Sequence, residues 1–275
     1  MQYKEIQVDV LDSIATVTLN RPQKLNAYTN LMGDELIHAY ESLGKRNDIR
    51  SIIMTGAGRG FCAGADIGGV FQKSIDGSEQ SQDHAGVDAE APLGGVIAHA
   101  RSGLQYSIHN CPKPTIAAIN GAAVGIGLTL TLVQDIRIMA QEASLGAIFA
   151  KMGLIPELGS TFMLPRIVGL SKAMELTYTG RLVKAEEAVN IGLVNQAVPG
   201  VGLMATAYEM ASQIAALPPL AVAVSKRALQ QGAENDFDAA VQTETFGLEY
   251  LFKTDDHKEA VAAFLEKRDP QFQGK

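Results

Sequence analysis

The chain has 275 residues, 47% hydrophobic and 19% charged, a balance that excludes disordered and fibrous classes and leaves enough apolar mass for a sizeable core. A formal net charge of -7 with scattered Lys and Arg excludes a nucleic-acid face, while a small phosphate-bearing ligand needs only a few cations and backbone N–H groups. Two cysteines, Cys62 and Cys111, make neither a disulfide framework nor a metal quartet, and no apolar run approaches the ~20 residues that span a bilayer; buried free thiols, no membrane partner and a reducing, cytoplasmic setting are expected.

In chain order, residues 4–19 ("KEIQVDVLDSIATVTL") alternate apolar and polar positions and are rich in β-branched side chains, which predicts two strands joined at 11–13. After "NRPQKLNAYT", which punctuates the chain, Met32, Leu36, Tyr40 and Leu43 fall on one face of a helix predicted from 30 to about 43. "RSIIMTG" (50–56) reads as a short buried strand, and "GAGRGFCAGAD" as a Gly/Ala loop feeding a helix near Ile67. Between 68 and 95 the composition turns polar and Gly-rich, the one candidate for a mobile loop or lid. A helix over 96–109, a buried strand at "PTIAAIN" (114–120), a helix carrying "LTLTLVQD" and a strand at "IRIMA" follow. "SKAMELTYTG" and "KAEEAVNIG" read as helices with Gly stops, "LVNQAVP" as a strand, and everything after it as helices.

Two glycine-rich strand-to-helix turns, "FCAGAD" and "NGAAVGIG", leave backbone N–H groups free for something negative, aided by the helix dipole. Tight turns need Gly anyway, so either alone is weak. Neither has the order G-x-G-x-x-G or a Walker Lys, and the chain has no G-x-S-x-G elbow, which excludes dinucleotide, P-loop and serine-hydrolase readings. The five histidines show no metal-ligand spacing. In "KMGLIPELGSTFMLPR" (151–166) the one carboxylate, Glu157, stands among apolar, small and basic residues. A buried carboxylate is costly unless paired, hydrogen-bonded or protonated, so Glu157 is exposed, satisfied or in use. Following Pro156, it also reads as a first-turn acid of a helix.

"RPQKLNAY", "TGAGRGFCAGADI", "KPTIAAINGAAVGIGLTL", "QDIRIMA", "LGAIFAKMGLIPELGSTFMLPRIVG" and "GRLVKAEEAVNIGLVNQAV" occur in the order seen in the crotonase (enoyl-CoA hydratase/isomerase) superfamily, which the chain resembles over residues 4–200. The resemblance implies an α/β, ClpP-like spiral of repeated strand-strand-helix units carrying an acyl-CoA site over 1–200. It also implies a C-terminal helical trimerisation region over 201–275, a homotrimer or dimer of trimers, and no cofactor, coenzyme A being part of the substrate. Matching residue by residue, the backbone N–H groups of Ala65 and Ile126 would grip the thioester oxygen as it becomes an enolate. Lys24, Leu25 and Ala27 match positions near the adenine or phosphates of coenzyme A. Ala63, Asp66 and Ile67, with Gly125, Thr129 and Phe149, match the substrate pocket, and Phe264 and Lys267 the part that reaches a neighbouring subunit's ligand. Asp66 reads equally well as a helix cap.

Thr129 and Phe149 stand where hydratase-like members carry two glutamates, so both hydratase carboxylates are missing. Glu157 resembles the lone carboxylate of Δ3,Δ2-enoyl-CoA isomerases and, as an aspartate, that of ring-epoxide and oxepin-forming acyl-CoA isomerases. The expected activity is therefore enoyl-CoA isomerisation, in which one group takes a proton from C2 and returns it at C4. Two alternatives stand beside it. One is hydration or ring chemistry with a carboxylate from the 70–95 loop, where Asp83, His84 and Glu90 lie; the other is a non-catalytic acyl-CoA-binding scaffold.

Overall fold

Strand β1 (Ile6–Leu11) turns back on β2 (Ile14–Leu19) through Asp12 and Ser13, both at positive φ, the twist that a two-residue antiparallel hairpin requires. The computed structural model describes residues 2–66, 68 and 103–275. Strands β3 (Ser51–Gly56), β4 (Thr115–Ile119), β5 (Ala122–Val124), β6 (Ile136–Ala140), β7 (Ser144–Gly146), β8 (Leu182–Lys184) and β9 (Gln196–Val198) complete two sheets. The larger has the order β1-β2-β3-β4-β6-β9 and is parallel beyond the hairpin; the smaller has the order β5-β7-β8. Successive turns of chain thus give one strand to each sheet, β4 then β5, β6 then β7, as the strand-strand-helix spiral requires. Every residue of β3 and β4 is buried, which explains their near-continuous apolar runs, since both faces of a parallel sheet are covered.

The helices are α1 (Asn30–Lys45), α2 (Leu104–His109), α3 (Ile126–Leu132), α4 (Ser160–Val168), α5 (Leu170–Thr179), α6 (Ala185–Asn190), α7 (Leu203–Ala215), α8 (Pro219–Gly232), α9 (Phe237–Leu251) and α10 (Asp255–Glu266). The hydroxyl of Thr29 caps α1 by accepting from Met32 N at 3.1 Å, and its buried face carries the predicted Met32, Leu36, Tyr40 and Leu43. Helix α7 buries Leu203, Ala207 and Ala211 against the parallel sheet, the two alanines permitting a close approach. Each large side chain so buried contributes roughly 1.5–3 kcal/mol. By contrast α8 and α9 bury no residue, and Phe237 and Phe246 are 80% and 70% exposed. Lys226 still ties α8 to the core, 2.7 Å from Asp135 and 3.1 Å from the Lys113 carbonyl.

The predicted elements are present within a few residues of their expected ends. The helix near Ile67, the 68–95 loop and most of the 96–109 helix fall outside the described residues; Leu104–His109 is helical. The sequence reading lacked β5, β7 and β8, three residues each and too short to show a period; the helix it allowed after Pro156 opens later, as α4 beyond Gly159, and contains Pro165. No helix among the described residues is long and apolar enough to cross a membrane.

Among the described residues the most deeply buried acid lies in α1. Glu35 of α1, 1% exposed, accepts from the backbone N–H groups of Lys4 (2.7 Å), Glu5 (2.9 Å) and Ile6 (3.1 Å), fastening the start of β1 to the helix. Glu35→Ala would strand these three donors, and is expected to lower unfolding free energy by about 3 kcal/mol in urea titration, with Glu35→Gln milder because it keeps one acceptor oxygen.

Candidate active site

Two isolated bridges fix the loop that follows β3. Cys62 pairs with Ala123 of β5 (Cys62 N to Ala122 O and Val124 N to Cys62 O, both 3.0 Å), and Ala65 pairs with Tyr28 (Tyr28 N to Gly64 O and Asp66 N to Tyr28 O, both 2.8 Å). In the second bridge the bonds are made by the neighbours of Ala65, so its own N–H turns to the opposite side. That N–H donates to no described residue. Ile126 opens α3, where helix geometry leaves the first N–H groups unpaired, after Gly125 turns the chain out of β5 with φ 57° and ψ -123°.

The two amides come from backbones in close contact. A Cβ on Gly127 would lie 2.0 Å from the Cys62 carbonyl oxygen, and one on Gly64 3.6 Å from that of Val124. The loop therefore presents Ala65 beside the positive end of α3, an arrangement suited to a developing negative charge. Beneath it Cys62 is fully buried, 3.7 Å from the Gly64 carbonyl, and burial pushes its thiol up to about 11.

Residues 24–27 run alongside, with Ala63 N donating to Leu25 O at 3.1 Å. Leu25 and Asn26 both sit at positive φ, rare for residues other than Gly, and Asn26 is held there by its side chain. Its Nδ2 donates to Ala57 O (2.9 Å) and Gly60 O (2.8 Å), and its Oδ1 accepts from Arg21 N (2.8 Å). Lys24 is exposed, while Leu25, Ala27 and Ala63 are partly buried. Asp66, matched to the pocket or read as a cap, places its carboxylate 2.7 Å from Nη2 of Arg21, a residue the sequence reading passed over as punctuation. Ile67 lies outside the described residues, as do Asp83, His84 and Glu90.

Neither position matched to a hydratase glutamate carries an ionisable group. Thr129 is fully buried and its hydroxyl donates to Ile126 O at 3.0 Å, bracing the first turn of α3; Phe149 is 5% exposed. Glu157 lies in a turn ahead of α4 rather than in its first turn, its carbonyl accepting from Ser160 N at 3.0 Å. Leu158 and Gly159 follow at φ 51° and 75°, two left-handed residues in succession. Glu157 is exposed on its open side, yet the protein behind it strips enough water to push its carboxyl above the ordinary range, and no described donor offsets that desolvation.

Phe264 and Lys267, both exposed on or just after α10, have no hydrogen bond or ion pair to these loops among the described residues. A cavity of about 680 Å³ lies elsewhere, between the end of α3, α4 and α8, lined among others by Phe162, Met163, Arg166 and Lys226; it touches none of Ala65, Ile126 and Glu157. Phe162 also carries the Arg166 guanidinium 3.4 Å above its ring.

A family model described as enoyl-CoA hydratase/isomerase matches residues 9–275. The chain belongs to that family. It is 35% identical over 262 residues, 95% of each chain, to 1,2-epoxyphenylacetyl-CoA isomerase of Escherichia coli K12, and 36% identical over the full length of both to a probable enoyl-CoA hydratase of Rhodobacter capsulatus. A crystal structure of an enoyl-CoA hydratase from Bacillus anthracis superposes with a TM-score of 0.86 at 33% identity, covering 99% of this chain and 100% of that one. The fold is the crotonase fold, and the chain is an enzyme of the enoyl-CoA hydratase/isomerase family. Gly127→Ala, whose methyl would drive α3 off the Cys62 backbone, is expected to lower turnover of acyl-CoA by about 10²-fold or more in a protein whose circular dichroism stays native.

Proposed function

We propose that this enzyme is an enoyl-CoA isomerase of the Δ3,Δ2 type, its thioester oxygen held by the Ala65 and Ile126 N–H groups and its proton carried by Glu157. What supports this reading is the state of Glu157, a carboxyl raised by desolvation and without a described partner, together with the lack of an ionisable group at Thr129 and Phe149, the positions matched to the hydratase glutamates. Glu157 takes a proton from C2 of a 3-enoyl thioester, and the electrons move through the carbonyl to give a dienolate. The same group, now a carboxylic acid, returns the proton at C4, leaving the double bond at C2–C3. Each oxyanion donor contributes roughly 3 kcal/mol to lowering the barrier. A raised pKa brings the base closer to the pH at which it operates. Coenzyme A enters as part of the substrate, and each step is carried by groups of this chain.

The similarity to 1,2-epoxyphenylacetyl-CoA isomerase supports a second reading, ring isomerisation of an acyl-CoA through the same carboxylate. Hydration is less well served, because water must be activated as well as a proton supplied. We take residues 1–200 as the catalytic spiral and 201–275 as an assembly region for a trimer or dimer of trimers. The uncovered apolar residues of α8 to α10 support this, and Phe264 and Lys267 then have a neighbour to reach. The free, buried thiols Cys62 and Cys111 suit a cytoplasmic location.

In heavy water the protein is expected to exchange the α-protons of an acyl-CoA, and Glu157→Gln to slow this by about 10² to 10⁴-fold while coenzyme A affinity is kept. Because the ionised form is the base and its pKa is raised, kcat/KM should fall as pH drops through a midpoint above the usual carboxylate range, a limb missing from the variant. Unaltered exchange in Glu157→Gln would move the base elsewhere, and tight coenzyme A binding without exchange by the native protein would favour a scaffold. Sedimentation equilibrium should give a trimer or hexamer, and Phe246→Asp on the exposed face of α9 should shift it toward smaller species.

A further inference from the structure

The guanidinium of Arg21 is the hub of a partly buried charge cluster at the edge of the candidate site. Its Nη2 lies 2.7 Å from Asp66 Oδ2, its Nε lies 3.2 Å from Glu5 Oε1, and its Nη1 donates to the carbonyl of Ala27. The Arg21, Asp66 and Glu5 side chains are only 15%, 19% and 18% exposed, so water screens these contacts weakly. Glu5 in turn accepts from the hydroxyl of Thr29, which caps α1.

The cluster sits on both sides of Ala65. Asp66 is the next residue, and Ala27 precedes Tyr28, whose N–H and C=O make the two bonds of the bridge that orients Ala65. One planar fork therefore grips both strands of that bridge at the step where the Ala65 N–H is aimed. The main chain of Arg21 is fixed as well, donating to the Asn26 side chain and accepting from the N–H groups of Lys24 (2.9 Å) and Asn26 (3.0 Å). Removing the guanidinium would take away the cation that Glu5 and Asp66 share and the donor that ties both to the Ala27 carbonyl.

We propose that Arg21 is a positioning residue for the oxyanion hole, holding Asp66 and the Ala27 carbonyl together so that the Ala65 N–H points at the thioester oxygen. This rests on the assignment of Ala65 as a donor made above. Arg21 touches no reacting atom in this scheme, and its effect passes through main-chain geometry, where a shift of a fraction of an ångström weakens a preorganised donor.

The test uses two variants, Arg21→Met and the milder Asp66→Asn, which keeps the shape of the carboxylate but not its charge. In a Glu157→Gln background, where ligand is not consumed, a 2-enoyl-CoA carrying ¹³C at the thioester carbon is bound at saturation and its carbonyl stretch is read by difference infrared spectroscopy. The expected result is a displacement to lower frequency in the parent that shrinks in both variants. With Glu157 intact, kcat should fall by about tenfold or more and KM stay within about twofold, Arg21→Lys falling between native and Arg21→Met. A displacement kept in full by both variants overturns the positioning role, whether kcat is kept or falls together with melting temperature. A raised KM with unchanged kcat also overturns it, since Arg21 would then be a contact for coenzyme A. If the parent shows no displacement on binding, the oxyanion hole itself is wrong and this role goes with it.

Discussion

A backbone N–H that is to meet a developing negative charge has to stay without a partner in the folded chain, and that is tolerable only where the peptides around it are firmly held. The bridges of Cys62 to Ala123 and of Ala65 to Tyr28 do the holding here. They tie the loop after β3 to the second sheet on one side and to the 24–28 segment on the other, and leave the Ala65 N–H without a partner among the described residues. The spiral supplies this geometry as a by-product of layering, because each turn that lays a strand in the large sheet next lays one in the small sheet. The side chains at 65 and 126 do not enter the proposed hole, so an Ile at the start of the helix costs it no N–H.

Three acids show how surroundings divide one functional group among different tasks. Glu35 is enclosed, but three backbone donors replace the water it has lost, and it serves the fold. Asp66 is partly enclosed and its charge is matched by Arg21. Glu157 has no hydrogen-bond donor or cation among the described residues, and desolvation holds its proton more tightly than usual. Chemistry at C2 asks for the last of these states and would be hindered by the other two.

The periodic elements were legible because their burial is regular: β3 and β4 as apolar runs, α1 as a stripe of four residues, the helices that end the chain by their Gly and Pro boundaries. Strands of three residues carry no period, and the start of α4 was blurred by the Gly at its threshold. The assignments of Ala65, Ile126 and Glu157 rest on the order of several motifs, not on any one of them, and belong to the proposal. Arg21 and Glu35 were missed for opposite reasons. Arg21 lies in a stretch whose Pro and Asn residues read only as an interruption, and Glu35 occupies what looks like an ordinary polar position on a helix. Partners brought in from distant segments give each its meaning, Asp66 from 45 residues away and β1 from about 30. Local pattern holds no trace of them.

The depth of Cys62 has a consequence for durability. The peptide that carries the Ala65 amide lies next to a sulfur atom, and in a shallower position that atom would invite peroxide, disulfide exchange or alkylation to distort the loop from below. Here the thiol is sealed from reagents and held protonated near neutrality, and the thiolate is the form that reacts. The loop that presents the Ala65 amide is thereby insulated from the redox state of its surroundings, although a cysteine lies three residues away.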